Sequence, residues 1–136
     1  MDARLLLDTA RTIGLEFPGS VVDHPFGEDV PVLRVRDKIF ALLFVDVHGR
    51  PGVNLKVEPQ DGEAVKSMYP EVEPGYHMNK KHWVSVYPGE TVTESVLRDL
   101  VLESYCLVVA GLPKKDRPVD PATFGRATEW EKEPGE

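Results

Sequence analysis

The chain has 136 residues, 41% hydrophobic and 29% charged, which suits one domain with its own core and excludes disorder along its whole length. Sixteen Lys and Arg against 23 Asp and Glu leave a formal charge of −7, so any phosphate contact must be local rather than spread over the molecule. Cys106 is the only cysteine, which excludes an intramolecular disulfide and a Cys-rich zinc site.

No run approaches the roughly 20 apolar residues that cross a bilayer, and the first residues carry Asp2 and Asp8 instead of a basic leader. The expected location is therefore the cytoplasm, with no membrane partner.

Residues 2–14 space Leu6, Ala10 and Ile13 at four and three positions, the stripe of an amphipathic helix with Gly14 as its stop. Pro18, Gly19, Pro25, Gly27 and Pro31 make the next stretch turn-rich, with at most a short strand over Val21 to Asp23. From Val32 the pattern alternates. Leu33 and Val35 face a core, Arg34 and Arg36 face outward, and Asp37-Lys38 turns the chain into "IFALLFVDV". That strand is apolar at consecutive positions, so a central place is expected, with Ile39, Ala41 and Leu43 on one face and Phe40, Leu42 and Phe44 on the other. Gly49, Pro51 and Gly52 separate it from "VNLKV", where Val53, Leu55 and Val57 point inward and Asn54 and Lys56 point away. Three antiparallel strands in sequence make a meander.

A short helix is expected over residues 61–69, closed by Pro70. "EVEPGY" reads as a turn and "HWVSVYP" as a fourth main strand. Thr91 and Glu94 have capping-box spacing ahead of a long helix carrying Val96, Leu97, Leu100, Val101, Ser104, Leu107 and Val108, which Gly111 and Pro113 end. Cys106 lies in that helix and reads as a buried, inert thiol. The domain is expected to occupy residues 1–112. Residues 113–136 form a charged, Pro-rich tail with too few apolar positions to fold alone, read as flexible unless Phe124 or Trp130 docks on the domain or a partner. The order of elements predicts a two-layer α+β domain, an antiparallel sheet with helices packed on one face.

The richest chemistry sits in "GYHMNKKHWVSV", residues 75–86. His77 and His82 are five apart across a loop-to-strand junction, and the other histidines are at 24 and 48, so the spacing argues against a metal site. No nucleophile elbow, phosphate loop or dinucleotide fingerprint accompanies them, so neither a catalytic motif nor a cofactor is expected. A phosphate grip is better motivated. Lys80, Lys81 and His82 are adjacent, Asn79 offers an amide, Trp83 offers a stacking face, and Lys56 joins them if the two strands lie side by side. Arg34, Arg36 and Lys38 could add a second basic strip. The bland alternative is that Trp83 packs in the core and the lysines are solvated.

The segments "DKIFALL", "VNLKVEP", "YPEVEPGYHMNKKHWVSV" and "ESYCLVVAGLPKK", in this order and spacing, resemble the MmcQ/YjbR family of small bacterial proteins over about residues 3–115. The resemblance implies a CyaY-like or secretion-chaperone-like α+β fold, a bacterial cytoplasmic protein, a DNA-binding label and no established catalytic residues. Carried onto this sequence, it makes Lys38, Lys56, His77, Asn79, Lys80, His82 and Trp83 the candidate surface. A frataxin-like iron role, suggested by fold alone, lacks the dense acidic ridge it needs, since the first helix offers only Asp2 and Asp8. The expected function is a non-enzymatic module for DNA or another anionic ligand. The alternative is a protein-interaction adaptor using the sheet face or the tail.

Overall fold

The computed structural model describes residues 1–125. In chain order the elements are α1 (Ala3–Leu15), β1 (Ser20–Asp23), β2 (Val32–Val35), β3 (Lys38–Val45), β4 (Pro51–Lys56), α2 (Pro59–Met68), β5 (Val72–Pro74), β6 (Trp83–Val86) and α3 (Glu94–Ala110), followed by a 3-10 turn at Lys114–Asp116. The six strands form one antiparallel sheet in the order β1-β2-β3-β4-β6-β5. The meander of β2, β3 and β4 lies at its centre, and the helices cover one face. This is the expected two-layer α+β arrangement.

Residue patterning explains the core. Leu6, Ala10 and Ile13 of α1 and Leu97, Val101, Tyr105 and Val109 of α3 are buried against Leu33, Val35, Leu55, Val84 and Val86 of the sheet. Each buried aliphatic side chain contributes about 1.5–3 kcal/mol by leaving water, so this layer dominates folding. Gly14 does not stop α1. The helix continues to Leu15, and a Cβ at Gly14 would lie 2.3 Å from Leu33 Cδ1, so the glycine lets helix and sheet approach closely.

Strand β3 departs from simple alternation. The register slips between Leu33 and Arg34, pairing Leu33 with Ala41 but Arg34 with Ile39, so Phe40 is the extra residue of a bulge. Phe40 therefore joins Ala41 and Leu43 on the helix side, where its ring meets Tyr105 edge-on at 5.3 Å. A bulge breaks the period of two on which the face assignment rested.

Three boundaries also differ from the sequence reading. Helix α2 begins at Pro59, whose missing N–H costs nothing in a first turn. "EVEPGY" contains the short edge strand β5, which pairs with β6. The cap of α3 is Thr93, whose Oγ1 accepts from Val96 N at 3.2 Å; Thr91 instead donates its N–H and hydroxyl to the Glu71 carboxylate. A buried carboxylate outcompetes the helix end for Thr91.

Residues 113–125 lie against the helical layer rather than away from it. Phe124 packs edge-on to Phe17 at 5.9 Å and beside Tyr105 at 5.6 Å. Arg117 donates to the carbonyls of Leu112 and Ala110, capping the end of α3, and Arg36 donates to the Asp116 carbonyl. Docking by Phe124, the alternative to a flexible tail, thus holds for this stretch; Trp130 lies outside the described residues. Cys106 is buried in the same layer.

Candidate functional site

Residues 75–82 have no regular structure, and their first part, around Tyr76, lies over the face of the sheet opposite the helices. Asn54 on β4 and Ser85 on β6 are paired in register and face this segment. Tyr76 N–H donates to Ser85 Oγ at 2.8 Å, the Ser85 hydroxyl donates to Asn54 Oδ1, and Asn54 Nδ2 donates to the Tyr76 carbonyl at 2.9 Å. Both polar groups of the Tyr76 main chain are thus satisfied by two fully buried side chains. The Tyr76 ring stacks on Phe44 at 5.0 Å, and Phe44 meets Tyr87 edge-on. Buried polar groups tolerate this position because the ring of hydrogen bonds leaves no heavy atom unpartnered. Tyr76, with His77 and Met78 after it, is thus a cover over the sheet, fixed by Asn54 and Ser85.

At one end of this face a cleft of about 450 Å³ opens between β3, β4, β6 and the last turns of α3. Lys38, Ile39, Lys56, Met78 and Trp83 line it, with Arg34 and Asp37 at the β2–β3 turn and Leu107, Val108 and Gly111 from α3. Its place follows from one serine. Ser104, completely buried in α3, donates its hydroxyl to the Phe40 carbonyl at 2.6 Å and accepts from Lys56 N–H at 2.8 Å. The hydroxyl stands where β3 and β4 would otherwise pair, so the two strands part and Lys38 and Lys56 flank the opening. Lys56 stands directly opposite Trp83 in the β4–β6 register. Neither lysine ammonium contacts a carboxylate among the described residues.

The remaining candidates are divided. Arg34 reaches the cleft but is held by Asp23 at 3.0 Å and by the Asp37 carbonyl. Arg36 is committed to Asp116. Asn79 shapes its own turn, its Oδ1 accepting from the N–H groups of Lys81 and His82. Lys80 donates to the Gly75 carbonyl, and Lys80 and Lys81 border a different hollow beside Lys66 and Gly62 of α2. His77, with φ of 57°, lies across Met78 in a cavity separate from the cleft. The expected single surface is three separate places, and among the described residues only Lys38, Lys56 and Trp83 combine charge free of carboxylate partners with an aromatic face in one cleft.

The groups with displaced pKa values hold the frame. Burial pushes the Glu71 carboxyl up, but the Thr91 hydroxyl and the N–H groups of Val92 and Thr91 outweigh it and hold it below the ordinary value. Asp46 behaves alike: burial raises it, and hydrogen bonds from Arg50 and His48 bring the net shift down. Arg50 also pairs with Glu73 and lies 3.9 Å over the Tyr87 ring, tying the β3–β4 hairpin to β5. Burial, with the neighbouring Cys106, pushes the Tyr105 phenol up to about 12, and its hydroxyl donates to the Pro18 carbonyl.

Among the described residues, no group of three or more His, Cys, Asp or Glu converges in metal-binding geometry. None of the helices there is long and apolar enough to cross a membrane.

The sequence reading missed Asn54, Ser85 and Ser104 as organisers of the site. Their signal was present: each is a small polar residue at a position surrounded by apolar ones, in "VNLKV", "WVSV" and the α3 stripe.

Fold and site together define a small α+β domain with a covered sheet face and an aromatic, lysine-flanked cleft at one end. Comparison with known proteins makes the assignment specific: the YjbR family model matches residues 15–107, and this chain belongs to the YjbR family. It is 46% identical over 117 residues to YbdF of Escherichia coli O157:H7, covering 86% of this chain and 95% of that protein. It is also 35% identical over 85 residues to YjbR of Escherichia coli strain K12, covering 62% of this chain and 71% of that one. Among solved structures, Deinococcus radiodurans protein DR2400, with its DUF419 domain, superposes with a TM-score of 0.72 at 34% identity over 82% of this chain and 84% of that one. A Pseudomonas syringae protein gives 0.62 at 27% identity over 79% and 98%.

Proposed function

We propose that this protein is a binding module for an anionic ligand carrying a planar group, with the cleft between Lys38, Lys56 and Trp83 as its contact surface. The observation that carries the reading is the pair of lysine side chains on neighbouring strands, free of carboxylate partners among the described residues, beside one tryptophan. Ammonium groups contact phosphate without regard to base identity, and an indole face stacks on a nucleobase for about 1–3 kcal/mol. Two features shape the preference. The carbonyl end of α3 would repel an anion, but the Arg117 guanidinium sits there, donating to the Ala110 and Leu112 carbonyls. The net charge of −7 opposes a long duplex, so the reading favours a short single-stranded segment or a nucleotide.

The test is anisotropy of a labelled oligothymidylate over a range of salt. Lys38→Ala with Lys56→Ala is expected to weaken binding about tenfold or more and to lower the salt slope by about 1–2. Lys80→Ala with Lys81→Ala, outside the cleft, is expected to do less. Equal affinity in wild type and the Lys38/Lys56 variant removes the proposal.

The adaptor reading keeps one observation of its own. Phe26 and Val45, which line the cavity on the covered sheet face, are 62% and 56% exposed. Removing residues 126–136 is the truncation that probes a tail-borne partner, because it spares the Phe124 contact with the core.

A further inference from the structure

A second cavity, of about 400 Å³, opens on the covered face of the sheet, across Met78 from the lysine cleft. Its floor is Leu42, Phe44 and Asn54, and Phe26 and Val30 of the β1–β2 connection form one wall. Tyr76 and His77 form the other. The volume falls in the range of small-molecule sites, roughly 300–1,000 Å³, and is small for a peptide helix. It is also preformed. The Asn54–Ser85–Tyr76 ring of hydrogen bonds fixes one wall, and the Phe44–Tyr76 stack joins that wall to the floor.

The lining selects the chemistry. It contains no Asp, Glu, Lys or Arg, and Tyr76 and His77 are its only titratable side chains, which disfavours phosphate-bearing and dianionic ligands. Three aromatic rings, Phe26, Phe44 and Tyr76, favour a flat apolar body. The decisive group is Asn54, which is 1% exposed. Its Oδ1 accepts from Ser85 and one Nδ2 hydrogen goes to the Tyr76 carbonyl; its second Nδ2 hydrogen has no acceptor among the described residues. A buried donor with an unused hydrogen, in the lining of the cavity, is answered by an acceptor oxygen on the occupant. The His77 imidazole is a second donor in the same cavity, on a backbone held at φ of 57° with its ring 4.1 Å from that of Tyr76.

We propose that this cavity binds a small aromatic carboxylic acid, its ring among Phe26, Phe44 and Tyr76 and its carboxylate accepting from Asn54 Nδ2 and the His77 imidazole. The site is separate from the lysine cleft, and the two proposals fail independently.

The test is a two-dimensional amide NMR titration of the full chain with benzoate, phenylacetate and indole-3-acetate, with phenylacetamide as the uncharged control. At least one acid is expected to give saturable shifts at the His77 amide and the Asn54 side-chain NH2, with Kd of about 1 mM or tighter. Val30→Phe, which fills the cavity from a connecting loop without touching the hydrogen-bonded ring, is expected to weaken binding about tenfold or more. His77→Gln should cost acid affinity and leave phenylacetamide unchanged, and Lys38→Ala with Lys56→Ala should leave the acids unaffected. Shifts that do not saturate by about 10 mM, shifts centred on Lys56 and Trp83, or self-association of the chain through this face in place of ligand binding would overturn the proposal.

Discussion

On the helix side of the sheet, Phe40, Leu55, Val84 and Val86 are sealed beneath α1 and α3 by side chains that exclude water over a broad area. On the other side, one irregular segment is held over Asn54 and Ser85, themselves hydrogen-bonded to each other, by two hydrogen bonds and a ring stack. The first closure rests on many interchangeable contacts of modest strength. The second rests on a few directional ones, and it leaves both cavities along its border. Apolar burial stabilises the fold, while directional closure shapes the surface available to ligands.

The sharpest way to break this contrast is to injure each side separately. Leu97→Ala, at a fully buried position of α3, is expected to cost about 2–5 kcal/mol in urea unfolding, from lost burial and the cavity left behind. Asn54→Leu strands the Tyr76 carbonyl and the Ser85 hydroxyl and is expected to cost about 1–3 kcal/mol. Its hydrogen exchange should rise mainly at residues 75–82 and not in α3; equal acceleration on both sides would show that the two closures are one cooperative unit.

A smaller effect comes from Glu71, whose carboxylate joins the start of β5 to the chain entering α3. Its pKa is lowered in the folded state, so its contribution is complete above the ordinary value of 4.5 and is lost as pH falls through the depressed folded value. Glu71→Gln is expected to cost about 1–2 kcal/mol near neutral pH. The gap from wild type should narrow on acidification below 4.5, read from urea midpoints across that range. A gap independent of pH would mean that Glu71 acts through shape and not charge.

The sequence by itself determined the layers. The spacing of Leu6, Ala10 and Ile13, the alternation around Val53 and Leu55 and the long stripe of α3 each bury one face in only one way, because helix and strand periods leave little choice. Lys56 beside Trp83 was also legible, once β4 and β6 were read as neighbours.

Tertiary structure decided the rest. The bulge that turns Phe40 inward depends on pairing with β2, the capture of Thr91 on Glu71, and the docking of Phe124 on Phe17 and Tyr105, and local periodicity encodes none of these. The division of the candidate surface is decided the same way. Residues as close as Lys80 and Trp83 share a motif in the text, but a chain fixed by Asn54 and Ser85 sends them to different hollows, and Ser104 places Lys38 and Lys56 at one opening. Hydrogen bonds between distant residues set these directions, and their partners are named only by the fold.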